Sequence, residues 1–155
     1  MLKVVSTMTI DGYGSGETDF LTRLASVPDS VREEFDNLIF FRLVEVLNTA
    51  DQTAVLSMEG HSDRVDSGGL SREELRIQEL TASVNRVNSA GDGIFQLLNN
   101  WFGPGFPPDW ADLSQVAVGF VACGGASLLH STPSLSDAQR RANRRVVLHL
   151  MTFIP

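Results

Sequence analysis

One stretch near the middle of the chain constrains the fold more than any other. Residues 54–59 alternate between apolar and polar side chains over most of their length, and this pattern is typical of a half-buried strand. The stretch runs into Gly60, where a glycine allows a sharp turn, and a long amphipathic helix follows. The pattern therefore predicts that His61, Ser62 and Asp63 lie at the carboxyl end of a strand, where ligands often bind.

Composition and charge limit the classes of function. The 155 residues are 43% hydrophobic and 20% charged, which is ordinary for a single folded domain over residues 1–155. The formal net charge of −7 argues against general nucleic-acid binding, because that function requires a basic face. No run approaches the roughly 18 apolar residues of a membrane helix, so we expect no direct membrane insertion. Residues 1–10 contain one cation and too short an apolar stretch for a signal peptide.

The apolar patterns predict four strands, at residues 2–10, 53–59, 115–123 and 146–153. Because the third strand is almost continuously apolar, we expect it to be central and covered on both faces. The order β-α-β-α-β-(α)-β predicts an α+β fold, a two-layer sandwich of a mixed sheet with helices packed on one face.

Three helices are predicted between these strands. The first is expected to begin near Pro28 or Asp29, with a capping box from Ser30 to Glu33. The second should begin at Ser71 with a capping box to Glu74, and a short basic helix should cover residues 137–143.

Several segments are expected to be irregular. Gly91 and Gly93 could kink or split the second helix. Residues 99–110 contain four aromatic side chains among prolines and glycines, and rings that cap the core are favoured over a recognition loop. The glycine-rich residues 11–16 are interpreted as a flexible connector rather than a phosphate cradle. A turn is predicted at residues 66–69.

Catalytic and metal-binding signals are weak. Cys123 lies in an apolar strand and is predicted to be a buried, inert thiol. Among the histidines, only His61 lies at the end of a strand, and adjacent residues cannot form a triad because their side chains diverge. No His-x-x-x-His or Cys-x-x-Cys spacing is present, so the sequence predicts no metal ion and no cofactor. The protein is predicted not to be an enzyme; a hydrolase that uses His61 and Asp63 is the remaining enzymatic hypothesis.

A carboxylate at a strand end and an arginine on the next helix suit a different chemistry. The pair can hold a zwitterion, because the guanidinium binds a carboxylate and the aspartate accepts from an ammonium group. A structural ion pair explains the same residues equally well.

Two motifs resemble those of OmpA-like, peptidoglycan-binding C-terminal domains. Residues 59–63, Glu-Gly-His-Ser-Asp, are similar to that family's Gly-His-Thr-Asp motif. Residues 142–148, Ala-Asn-Arg-Arg-Val-Val-Leu, are similar to its closing Asn-Arg-Arg-Val strand motif. The resemblance covers about residues 30–150, leaving the first strand and the glycine-rich loop in residues 1–28 outside it. It implies an OmpA-like fold.

The resemblance also implies a binding site. In that family an aspartate of the first motif and an arginine on the next helix bind the diaminopimelate of the peptide stem, so Asp63 carries over directly. Residues 82–87 best match the family's Leu-Ser-x-x-Arg-Ala motif and make Arg86 the candidate arginine, although this alignment requires about two additional helical turns. Arg76 lies closer to the usual distance. A literal match at residues 70–71 would instead put Glu74 in the arginine's place.

Further residues belong to the implied site through the same motifs. Ser62 lies beside the aspartate in the first motif. Asn143 and Arg145 match the closing motif, where such residues brace the site. The family's glycine shortly after the aspartate is replaced here by Val65-Asp66.

The function implied by the resemblance is non-covalent binding of the peptidoglycan stem peptide, which would anchor a protein or particle to the bacterial cell wall. The alternative is an OmpA-like fold reused, without ligand binding, as a structural or interaction subunit of a phage-tail or contractile-injection particle. Expected partners are peptidoglycan and other envelope or particle proteins. If exported, the protein is expected in the periplasm or cell envelope; since no signal or transmembrane segment is visible, assembly into a particle in the cytoplasm is the other expectation.

Overall fold

A computed structural model describes residues 1–64 and 68–155. Within these residues, four strands form one mixed sheet in the order β1-β4-β2-β3. The strands are β1 (Leu2–Ile10), β2 (Thr53–Gly60), β3 (Val116–Ala122) and β4 (Val146–Ile154). Strand β4 is antiparallel to both β1 and β2, and β2 is parallel to β3.

The helices pack on one face of this sheet, where they cover its alternating apolar side chains. They are α1 (Phe20–Leu24), α2 (Asp29–Asp36), a π-helical segment (Asn37–Leu43) leading into α3 (Val44–Asn48), α4 (Arg72–Phe102), a 3₁₀ turn (Trp110–Asp112) and α5 (Asp137–Asn143). In β2 every second residue from Ala54 to Gly60 is buried against them. The predicted α+β fold, a mixed sheet with helices on one face, is confirmed.

Helix α4 is the longest described element and begins as predicted, with a capping box between Ser71 and Glu74. It is one continuous helix of 31 residues, and neither Gly91 nor Gly93 splits it. These glycines permit close packing instead: a Cβ at Gly91 would overlap the ring of Phe120 on β3. None of the described helices is both long and apolar enough to cross a membrane.

The predicted central position of the third strand and the predicted capping box at Ser30 are wrong. Strand β3 is not central: because β4 returns between β1 and β2, β3 lies at the edge and pairs with β2 alone. Its side chains are therefore partly exposed, Phe120 by 47% and Val121 by 46%. The capping box at Ser30 does not form, because the N-cap is Pro28, two residues earlier, and Pro28 makes no side-chain hydrogen bond.

The aromatic segment at residues 99–110 closes one end of the core. Helix α4 extends into it as far as Phe102, whose ring stacks on Phe106 with centroids 4.8 Å apart. Trp110 packs against the core and donates from Nε1 to the Gly91 carbonyl at 3.1 Å. The prediction that rings of this segment cap the core is confirmed for Phe102, Phe106 and Trp110, whereas Trp101 is 59% exposed. The prediction of irregular structure is wrong for residues 99–102, which belong to α4.

The glycine-rich loop is attached to the rest of the fold. Tyr13 is completely buried, and Gly12 donates from its backbone nitrogen to the Arg141 carbonyl at 3.1 Å. The loop therefore packs beside α5. The predicted turn at residues 66–69 falls partly outside the described residues.

Candidate functional site

The loop after β2 begins at a glycine that the packing requires. A Cβ at Gly60 would overlap the Ser83 carbonyl of α4, so any larger residue would push the helix away from the sheet. The loop is then held by backbone hydrogen bonds from His61 to the Arg145 carbonyl and from Ser62 to the Gly124 carbonyl. This fixes the position of the side chains that follow.

Asp63 is almost completely buried, and α5 supplies its partners. Its Oδ1 accepts from Nδ2 of Asn143 at 2.9 Å, and its Oδ2 accepts from Nη1 of Arg140 at 2.7 Å. Nη2 of Arg144 lies 3.8 Å from Oδ2. The carboxylate is therefore paired with residues about 80 positions away in the chain, and the sequence did not indicate Arg140 as its partner.

The closing motif braces the neighbouring loop. Asn143 is fully buried, and its Oδ1 accepts from the backbone nitrogens of Leu129 and His130 at 2.9 Å each. Arg145 donates to the Asn143 carbonyl and to the Ser127 carbonyl. The structure thus brings Asn143 to Asp63, whereas Arg145 bonds to the loop beyond β3.

Arg86 is 1% exposed and ties three segments together. Its Nε donates to the Glu17 carbonyl at 2.9 Å, its Nη1 donates to the His61 carbonyl at 3.0 Å, and the guanidinium lies 5.2 Å from the centroid of the Tyr13 ring. Burial lowers the pKa of Arg86 to about 10, so the side chain remains cationic at neutral pH. No hydrogen bond from its Nη2 reaches any residue in 1–64 or 68–155.

The other two positions considered for the arginine have different roles. Arg76 forms an ion pair with Glu79, one turn further along α4. Glu74 is exposed and caps the helix by accepting from the Ser71 backbone nitrogen at 2.7 Å. Of the three positions, Arg86 is the one that lines a cavity with Asp63.

This cavity has a volume of about 260 Å³ and lies between the loop after β2, the first turns of α4 and the glycine-rich loop. Two carboxylates and two guanidinium groups line it; they belong to Asp63, Glu79, Arg86 and Arg144. Ser62 lines it as well, and its buried Oγ makes no hydrogen bond to the described residues. The wall is completed by Ser15, Gly16, Gln78 and Ala82. Such a charge-balanced cavity can hold a small zwitterion.

A second cluster lies at the end of β2 on the sheet face away from the helices. One donor atom each of Glu59, His61 and Cys123 lies within 4.8 Å of the others. Burial, and then the nearby Arg145, lower the pKa of His61, and burial raises the pKa of the Cys123 thiol. Cys123 is only partly buried. The imidazole of His61 contacts Glu59, whereas the carboxylate of Asp63 accepts a hydrogen bond from α5. The pair considered for a hydrolase is therefore not assembled.

Sequence reasoning missed this second cluster because its search for metal sites used spacing along one segment. The available signal was Glu59-x-His61, since alternate residues of a strand share a face. Cys123 joins them only through the pairing of β2 with β3, in which Gly60 is opposite Ala122.

Comparison with known proteins finds no matching family model and no matching curated protein. Solved structures with similar arrangements include the periplasmic domain of Helicobacter pylori MotB, at a TM-score of 0.47 and 12% identity over 94% of this chain and 81% of that one. The cell wall anchor of the Pseudomonas aeruginosa T6SS matches at 0.44 and 16%, over 97% and 82%. The OmpA-like domain of Francisella tularensis FopA1 matches at 0.45 and 13%, over 96% and 73%. Similarity at this level does not assign a ligand to the chain.

Proposed function

We propose that this protein binds peptidoglycan non-covalently, by holding the diaminopimelate of a stem peptide in the cavity beside Asp63, and so anchors a protein or particle to the bacterial cell wall. The observation that carries the proposal is the charge pattern of the cavity, with two carboxylates and two guanidinium groups around a space of about 260 Å³. Free diaminopimelate carries ammonium and carboxylate groups at both ends, and within a stem peptide one end keeps them, so it matches both signs of charge.

The ammonium group of the ligand has a defined acceptor. A carboxylate offers about four lone-pair sites, and the hydrogen bonds from Asn143 and Arg140 occupy two of those on Asp63. Ser62 contributes a hydroxyl that has no partner among the described residues. Asp63 is held rigidly by α5, so binding requires little ordering of the acceptor.

The carboxylate of the ligand would be bound by Arg86 and Arg144. Arg86 retains Nη2 after its two hydrogen bonds to backbone carbonyls. Among the described residues, Arg144 has a long hydrogen bond of 3.4 Å to the Tyr13 carbonyl and a 3.8 Å contact with Asp63. Both guanidinium groups contact Tyr13, and a guanidinium matches the planar geometry of a carboxylate.

Co-sedimentation with insoluble, diaminopimelate-containing peptidoglycan tests the proposal. Ala82→Leu should fill the cavity from the side of α4 without removing a hydrogen bond, and the wild-type protein should sediment while this variant stays in solution. Thr81→Leu, at the neighbouring exposed position, is the matched control and should sediment normally. Asp63→Ala and Arg86→Ala should also abolish sedimentation. Retention that none of these substitutions changes would contradict the proposal.

A specific observation favours a second candidate, a structural subunit of a phage-tail or contractile-injection particle. Each charged side chain of the cavity already has an intramolecular partner, as expected if the network serves to hold the fold together. This candidate predicts that the protein co-purifies with a large particle and that the isolated protein does not sediment with peptidoglycan.

A further inference from the structure

The face of the sheet opposite the helices carries a group of side chains that peptidoglycan binding does not use. In β2, Gly60 faces α4 and Glu59 faces the other way. His61 and Cys123 directly follow the parallel strands β2 and β3, and the pairing of Gly60 with Ala122 makes them neighbours. Side chains two residues apart on a strand share a face, so His61 lies on the same side as Glu59.

The distances are suitable for shared ligation. One donor atom each of Glu59, His61 and Cys123 lies within 4.8 Å of the others. Zinc binds sulfur, nitrogen and oxygen at 2.0–2.3 Å, which places ligands of a tetrahedral site roughly 3.3–3.8 Å apart. Side-chain rotations that move the donor atoms by about 1 Å would bring them from this separation to the spacing of a tetrahedral site.

His61 is the most deeply buried of the three side chains. Its side chain is 4% exposed, and Nδ1 is buried without a hydrogen-bond partner among residues 1–64 and 68–155. Its Nε2 lies 3.3 Å from Oε2 of Glu59. Of the two ring nitrogens, Nε2 is therefore the one that faces Glu59 and can share a metal ion with it.

We propose that Glu59, His61 and Cys123 bind one divalent metal ion of the zinc class. The mixed nitrogen, oxygen and sulfur donors suit Zn²⁺ or Co²⁺ and exclude a preference for Mg²⁺ or Ca²⁺, which favour all-oxygen sites. On binding, the Cys123 thiol releases its proton to solvent, and the thiolate and the Glu59 carboxylate together balance the two positive charges. Three protein ligands leave a fourth coordination position open.

Neighbouring side chains both favour and oppose the binding of a metal ion at this site. Nδ1 of His149 lies 3.1 Å from Oγ1 of Thr7, and its buried Nε2 lies 3.3 Å from Oε1 of Glu59 without forming a hydrogen bond to the described residues. His149 therefore approaches the Glu59 carboxylate from the neighbouring strand. The Arg145 guanidinium acts electrostatically on both Cys123 and Glu59 and opposes a cation. The two anionic ligands offset this repulsion.

Cobalt titration of the purified protein without a histidine tag tests the proposal independently of peptidoglycan binding. The expected result is one equivalent of Co²⁺ per chain, with a thiolate-to-cobalt charge-transfer band that excess Zn²⁺ removes. Cys123→Ser should lose the band, and Glu59→Gln and His61→Gln should weaken cobalt binding at least tenfold. His130→Gln, a histidine outside the cluster, is the matched control and should bind like the wild type.

A second readout covers variants that fold poorly. Zn²⁺ should raise the melting temperature of the wild type and of His130→Gln and should slow alkylation of Cys123. Absence of the charge-transfer band in the wild type, or the same band in Cys123→Ser, would overturn the proposal. Equal zinc-induced shifts in the wild type, Cys123→Ser and Glu59→Gln would also overturn it.

Discussion

Strand β2 leads into two clusters that lie on opposite sides of the sheet and are built differently. Beside the helices, Asp63 and Arg86 are buried, and each bonds to segments distant in the chain. On the open face, His61 keeps a buried nitrogen without a described partner, and Cys123 is only partly covered. We infer that the Asp63 cluster contributes to folding as well as to any ligand binding, whereas the Glu59 cluster contributes little to folding. Substitutions on the two sides should therefore affect stability differently.

The largest effect is expected at Arg86. Arg86→Met leaves the buried carbonyls of Glu17 and His61 without their donor, which should lower the free energy of unfolding by about 2–5 kcal/mol. Urea denaturation followed by circular dichroism measures the change. Arg72→Met, at an exposed position of the same helix, should stay within about 0.5 kcal/mol of the wild type. Equal stabilities of the two variants would show that Arg86 does not hold the segments together.

The next effect compares the two sides directly. Asp63→Asn keeps the shape of the side chain but removes the charge opposite Arg140, and it should cost about 1–3 kcal/mol of stability. Glu59→Gln, measured in the absence of metal, should cost less than about 1 kcal/mol, because Glu59 is partly exposed. The same urea titrations decide the comparison, and it fails if Glu59→Gln is the more destabilising change.

Arg144 allows binding to be separated from folding on the Asp63 side. Arg144→Gln removes one guanidinium from the cavity, a 3.4 Å hydrogen bond and a 3.8 Å contact with Asp63, so we expect a loss of about 1 kcal/mol in stability. Peptidoglycan affinity should fall at least tenfold. Arg141→Gln is the control, since Arg141 pairs with the exposed Asp137 and is not among the residues lining the cavity. Identical affinities for both variants would exclude Arg144 from the site.

The smallest effect on stability is expected on the open face. Cys123→Ser should change the free energy of unfolding of the metal-free protein by no more than about 0.5 kcal/mol, because the thiol is partly exposed. The same substitution should eliminate the zinc-induced rise in melting temperature. Differential scanning fluorimetry with and without Zn²⁺ measures both, and a large loss of stability in metal-free protein would contradict the contrast between the clusters.

Much of the fold could be predicted from local patterns. The alternation in β2, the apolar residues of β4, the capping box at Ser71 and the bounds of the last helix depend on neighbouring residues, and the structure agrees with each. The position of β3 could not be predicted, because strand order depends on how β4 pairs with both β1 and β2. A continuously apolar segment predicts a central strand, but β3 lies at the edge, where Phe120 packs against Gly91 of α4.

The two sites likewise contain features that local motifs predict and contacts between distant segments that they do not. The motif indicates Asp63 as a candidate, but its partner Arg140 lies 77 residues away, and no spacing in the sequence joins them. Likewise, Cys123 approaches His61 only because parallel strands pair in one register. The roles in ligand binding of all five candidate residues stay predictions; these residues are Asp63, Arg86, Ser62, Asn143 and Arg145.

Calorimetric titration of the wild-type protein with meso-diaminopimelate and with lysine tests the central claim most directly. Lysine has the same chain length between its amino groups but lacks the second carboxylate, which Arg86 and Arg144 would bind. We expect diaminopimelate to bind with one-to-one stoichiometry and lysine to bind at least tenfold more weakly, a difference of about 1.4 kcal/mol or more. Absence of diaminopimelate binding, or equal affinity for both compounds, would contradict the account and leave the Asp63 cluster as a structural network.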